Sequence, residues 1–102
     1  MDKAAEIVIP QMDKEDMDYM LGQLMALMEI DSPSGYIREI EDYLAQELSA
    51  LGYEPQRLRK GGVVARLGGQ GDDAMVLAHA DTLGAVVRSI KPNGRLMMAP
   101  VG

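Results

Sequence analysis

The chain has 102 residues, with no Cys, Phe or Trp, nine Met and four Tyr, and a formal net charge of −6. That length accommodates one domain with a modest core, and the absence of Cys excludes a disulfide framework or a thiolate metal site. The acidic balance argues against general nucleic-acid binding, which rests on neutralising phosphates, and no apolar run approaches the roughly 20 residues that span a bilayer. Met1–Gln11 has neither the basic start nor the long apolar stretch of a signal peptide. The expectation is a soluble cytoplasmic protein with no nucleic-acid or membrane partner.

Charge is unevenly placed. Residues 1–50 hold 12 acids and 3 bases, whereas residues 51–102 hold 4 acids and 7 bases. The acidic half also carries regularly spaced apolar residues, so it reads as a solvated face of folded helices rather than a tail.

Residues 1–12 form an amino-terminal extension, in which Ile7-Val8-Ile9 is a candidate short strand ended by Pro10. Residues 13–102 carry the folded pattern. Asp13 is a candidate N-cap, with Asp16 three residues on. Met17, Met20, Leu21, Leu24 and Met28 then recur at helical spacing, which predicts a helix over residues 13–30 with this face in the core. An adaptable Met-rich groove is the alternative for the same face. Asp31-Ser32-Pro33-Ser34-Gly35 breaks the pattern, because Pro33 disfavours helix in the residue before it. Ser34 is a candidate cap for a second helix over 35–51, whose stripe is Ile37, Ile40, Leu44, Leu48 and Leu51. Gly52 is a natural stop.

From Tyr53 the pattern changes to alternation and short apolar runs. Tyr53–Arg59 and Val63–Leu67 read as strands joined by a turn at Gly61-Gly62. Gly68–Asp73 is a polar loop without the spacing of a phosphate-binding motif. Ala74–Ala78 is a continuous apolar run, the pattern of a central strand buried on both faces. Gly84–Ile90 and Arg95–Ala99 flank Lys91-Pro92-Asn93-Gly94, a predicted hairpin. The fold class is α/β, with two amino-terminal helices packed on a mixed sheet of about five strands.

The single His, His79, follows the Ala74–Ala78 run in Ala78-His79-Ala80-Asp81-Thr82-Leu83-Gly84. Residues two apart on a strand share a face, so His79 and Asp81 are expected to point the same way if the strand runs through both. An Asp in that position accepts a proton from one ring nitrogen and leaves the other for a metal. A lone His is more often a packed or surface residue than a ligand, and one imidazole with one carboxylate does not complete a coordination shell. A Ser–His–Asp hydrolase lacks its Gly-x-Ser-x-Gly elbow.

Taken in order, the helix, Ser32-Pro33-Ser34-Gly35-Tyr36, the second helix, the strand pair, Met75–Gly84, the hairpin and Pro100-Val101-Gly102 resemble the amino-terminal part of the M42 family of metallo-aminopeptidases. The resemblance runs from about Asp13 to Gly102, and the His-x-Asp-x-x-Gly segment is its most specific piece. It implies an incomplete zinc-peptidase-like catalytic domain over residues 13–102. In that family the His matching His79 ligates one of two divalent metal ions, zinc or cobalt, and the Asp matching Asp81 orients that His. Paired metals activate water and polarise the scissile carbonyl, so the implied reaction is removal of N-terminal residues from peptide substrates.

Ala80 and Thr82 stand where the family often has Met and Glu, and Gly62 where it often has Asn. The family's bridging Asp, its general-base Glu, its further carboxylate ligands and its second His lie farther along a longer chain. The expectation is thus a segment that contributes one metal ligand, His79, to a site completed elsewhere and inactive alone. Whether these 102 residues act as an enzyme stays open at this point. The alternative is a non-catalytic truncated relative that self-associates or binds another protein through exposed strands. The full-length family is expected to be homo-oligomeric.

Overall fold

Asp13 starts the first helix with a capping box. Its carboxylate accepts from the Asp16 N–H at 2.8 Å, and the Asp16 carboxylate accepts from the Asp13 N–H at 3.4 Å. The structure, a computed structural model, describes residues 10–102; the Ile7–Ile9 strand of the sequence reading lies outside the described residues. Helix α1 spans Lys14–Met28 and α2 spans Arg38–Ala50. Strands β1 (Gln56–Arg57), β2 (Val63–Val64), β3 (Gly84–Ile90) and β4 (Leu96–Val101) follow. No described helix is long and apolar enough to cross a membrane.

Gly52 ends α2 as its sequence position suggested. Its φ is +94°, and the Gly52 and Tyr53 N–H groups donate to the Ser49 and Leu48 carbonyls, each at 3.0 Å. This paired closure satisfies carbonyls that have no partner within the helix. The start of α2 differs from expectation. Ile37 is its N-cap, no side chain caps it, and the Ser34 hydroxyl bonds elsewhere.

Strands β1 and β2 form a two-stranded antiparallel sheet through Gln56–Val64 and Arg57–Val63. The turn contains Gly61 and Gly62, with φ of +98° and +109°. At Gly61 the positive φ favours glycine, and a Cβ would also fall 2.5 Å from the Ile37 Cδ1, which would have to shift aside. The Gly62 N–H donates to the Glu41 carboxylate, and Arg57 pairs with Asp42 at 2.5 Å. Helix α2 therefore packs on this small hairpin. Its Ile40, 3 % exposed, is the one buried hydrophobic residue among those described.

Strands β3 and β4 form a second antiparallel pair, with a bulge between Val87 and Ser89. The Lys91–Gly94 turn is closed by Gly94 N–H to Lys91 C=O at 2.9 Å and Lys91 N–H to Arg95 C=O at 2.8 Å. The predicted hairpin is present, and β4 extends two residues beyond Ala99.

Three expectations are corrected. The helices and strands are mixed as an α/β chain, but the described strands form two separate two-stranded sheets, not one mixed sheet of about five. Ala74–Ala78 is not a strand, and Val76 is 95 % exposed. Each hairpin closes on its own turn, which leaves this apolar run no strand to pair with. A backbone without a ladder partner has nothing to bury its two faces against. The apolar face of α1 is also open. Met17, Met20, Leu21, Leu24 and Met28 are all exposed, and Met12, Tyr19, Met20, Leu24 and Leu27 line a shallow groove there. Helix α1 reaches α2 by polar contacts, with Gln23 donating to Glu47 at 3.1 Å and accepting from the Tyr43 hydroxyl at 2.7 Å. The Cα radius of gyration is 19.8 Å, against about 13 Å for a compact chain of this length.

Candidate functional site

The loop between the two helices clasps the segment that carries His79 and Asp81. Pro33 and Thr82 form a parallel β-bridge. The Thr82 N–H donates to the Ser32 carbonyl at 2.8 Å, and the Ser32 hydroxyl donates to the Ala80 carbonyl at 3.0 Å. Ser32 is fully buried, at 0 % exposure, and this bond satisfies its hydroxyl, as a buried polar group requires.

The sequence builds this loop locally. The Tyr36 N–H closes a turn onto the Pro33 carbonyl at 2.8 Å, and Gly35 within it has φ of +92°, a conformation glycine adopts without the Cβ penalty. Gly84 completes the fit from the other side. A Cβ there would lie 2.5 Å from the Pro33 Cβ, so Pro33 seats against a residue that has no side chain. The glycine of the His-x-Asp-x-x-Gly pattern thus makes room for the Ser-Pro-Ser loop.

His79 and Asp81 are in contact, although no strand runs through them. His79 Nδ1 is 3.0 Å from Asp81 Oδ1 and 3.2 Å from the Asp81 carbonyl oxygen. Both neighbours accept hydrogen bonds only, so the contact is made by the tautomer that carries its proton on Nδ1. The imidazole is 87 % exposed, and Nε2 has no hydrogen-bond partner among the described residues. The other carboxylate oxygen, Asp81 Oδ2, accepts from the Ser34 hydroxyl at 2.7 Å. The Ser34 bond first, and the His79 bond second, hold the Asp81 carboxyl below the usual carboxylate range.

The pair does not sit at the end of a paired strand, because residues 74–81 make no ladder. Its backbone is fixed instead by Ser32. The sequence pointed to His79 and Asp81 as candidates, offered Ser34 as a helix cap and gave Ser32 no role. The available signal was the pair of hydroxyl residues flanking Pro33. No group of three or more His, Cys, Asp or Glu side chains among the described residues is gathered so as to hold a metal ion. The chemistry of the donors present suits one ligand position, the Nε2 lone pair of an imidazole whose other nitrogen is already held.

Residues 61–102 match the family model described as M42 glutamyl aminopeptidase. Over this stretch the chain is similar to the M42 family. The matched stretch carries β2, His79, Asp81, β3 and β4. Over 78 residues, 74 % of this chain, it is 40 % identical to "Putative aminopeptidase YhfE" of Bacillus subtilis. It is 34 % identical over 86 residues, 81 % of the chain, to a glutamyl aminopeptidase of Lactococcus lactis. A third relative, "Putative aminopeptidase SgcX" of Escherichia coli, is 37 % identical over 82 residues, 78 % of the chain. The matches cover 22 %, 24 % and 22 % of those relatives, so the chain spans less than a quarter of their length.

Proposed function

We propose that this chain forms the amino-terminal part of an M42-type metal-dependent aminopeptidase and contributes one metal ligand, His79 Nε2, to its site. The observation that carries the reading is the pairing of His79 Nδ1 with two acceptors, while Nε2 has no hydrogen-bond partner among the described residues. Asp81 orients the imidazole and raises its basicity. The remaining ligands and the general base come from polypeptide beyond residues 1–102, in keeping with the small share of the aminopeptidase relatives that the chain spans. When bound, divalent zinc or cobalt supplies Lewis acidity and an activated water for hydrolysis of an N-terminal peptide bond. The function of these residues is to hold the imidazole with its lone pair free and outward. By the same likeness, the complete protein works in the cytoplasm as a homo-oligomer on peptide substrates.

The test is a zinc titration of the 102-residue chain with nitrogen-15-labelled histidine, run beside an assay on glutamyl p-nitroanilide. Zinc is expected to move the His79 Nε2 signal with weak affinity and the assay to show no turnover. Zinc binding that bypasses His79, or sustained hydrolysis by this chain alone, would overturn the reading.

A second reading rests on the open surfaces. The α1 face and the β3–β4 hairpin both expose apolar side chains, among them Leu24, Met28, Val86 and Ile90, and contiguous exposed apolar surface favours association. In that reading the chain is a non-catalytic self-associating or protein-binding module. Light scattering across a concentration series separates the two, because a monomer at every concentration leaves the module reading without support.

A further inference from the structure

We propose that Ser34 is a positioning residue for His79, acting through Asp81, and that the Ser32-Pro33-Ser34 loop is therefore part of the site. This rests on the reading of His79 as a metal ligand. The backbone of the His79–Asp81 segment has no strand partner, and Ser32 and Pro33 fix it instead by contacts to Ala80 and Thr82. Those contacts hold the backbone but leave the Asp81 side chain free to rotate. Ser34 removes that freedom. Its hydroxyl takes Oδ2 at 2.7 Å while Oδ1 faces His79 Nδ1 at 3.0 Å, so one carboxylate is held at both oxygens.

The consequence is carried to the ring. With Oδ1 fixed, the His79 Nδ1 proton has a charged acceptor beside the weaker carbonyl at 3.2 Å, and charge-assisted bonds of this kind are roughly twice as strong as neutral ones. Without the Ser34 hydroxyl, the carboxylate can turn toward water on an exposed surface and the ring is left with the weaker carbonyl contact alone. Ser34 has no competing task as a helix cap, because α2 begins at Arg38 with Ile37 as its uncapped N-cap.

The experiment is histidine nitrogen-15 NMR of the full 102-residue chain at alkaline pH. Ring-nitrogen shifts report which nitrogen carries the proton. The wild-type chain is expected to show the Nδ1–H form, Ser34→Ala a shift toward a mixture of both forms, and Ser34→Thr a return to the wild-type pattern. Outer hydrogen-bond partners of ligand histidines change metal affinity by about 10- to 100-fold, so Ser34→Ala is expected to weaken zinc binding about 10-fold, with Ser34→Thr restoring it. Unchanged ring shifts in Ser34→Ala would overturn the proposal. Ser34→Thr decides the case in which Ser34→Ala loosens the whole loop, since failure of the retained hydroxyl to restore the Nδ1–H form also overturns it. A wild-type His79 that ignores added zinc sinks the metal reading instead. The zinc-free tautomer spectra still judge Ser34, so the two failures are distinguishable.

Discussion

Ser34 and Asp81 stand 47 residues apart in sequence and meet through a 2.7 Å hydrogen bond from hydroxyl to carboxylate. This bond is the leading cause of the lowered Asp81 pKa, ahead of the contact with His79. A carboxyl whose folded pKa lies below its ordinary value of 3.8 stabilises the fold above that value, and the stabilisation disappears as pH falls through the lowered one. Acidification is therefore expected to release Asp81 from Ser34, and Ser34→Ala is expected to titrate at higher pH than the wild type. The Asp81 carboxyl carbon signal, followed against pH by NMR, checks both; identical curves for the two chains would count against the bond.

Gly84→Ala is expected to prise Pro33 away from the site segment. The added Cβ falls 2.5 Å from the Pro33 Cβ, and overpacking of this kind typically costs about 1–3 kcal/mol. Hydrogen exchange at the Thr82 amide, which donates to Ser32, is the local readout. Faster exchange there, with the β3–β4 hairpin amides unchanged, is the expected result.

Asp13→Ala removes the side-chain acceptor of the α1 capping box. Loss of such a cap costs about 1 kcal/mol. Because the apolar face of α1 is exposed, little packing compensates, and a measurable fall in helical circular dichroism is expected. An unaltered spectrum would mean that α1 is held by something other than its cap.

Gly52→Ala places a Cβ on a residue with φ of +94°. Left-handed backbone costs an L-residue roughly 1–2 kcal/mol, so the Schellman closure of α2 should weaken and the thermal midpoint should fall. Gly22→Ala is the control. Gly22 lies within α1 with open space where a Cβ would go, and alanine favours helix by about 1 kcal/mol over glycine. It should raise helicity.

Local chemistry made much of this fold legible. The Asp13 cap, the Gly52 stop and the Lys91–Gly94 turn each depend on a few adjacent residues, so sequence alone located them. The short spacing of His79 and Asp81 made a contact between them a natural expectation, but the strand expected to bring them to one side is absent. Ala74–Ala78 misled because an apolar run reports a wish for burial, whereas a strand also needs a neighbour, and none of the described strands supplies one. Ser34 was misread because its residue type suits a helix cap as well as an Asp81 partner, and only the three-dimensional path of the chain chooses between them.

The Ser32–Ala80 bond joins positions 48 residues apart, so the clasp closes a large ring of chain. Ring closure carries an entropy penalty that grows with the logarithm of its length, and contacts of high sequence separation form late. The helices and hairpins are expected to form first and the Ser32–Thr82 latch last, an order that pulse-labelled hydrogen exchange at Thr82 can time against α2. Any ion or neighbouring polypeptide that binds the latched form will hold this ring shut by mass action. Completion of the site and the last step of folding then become one thermodynamic event.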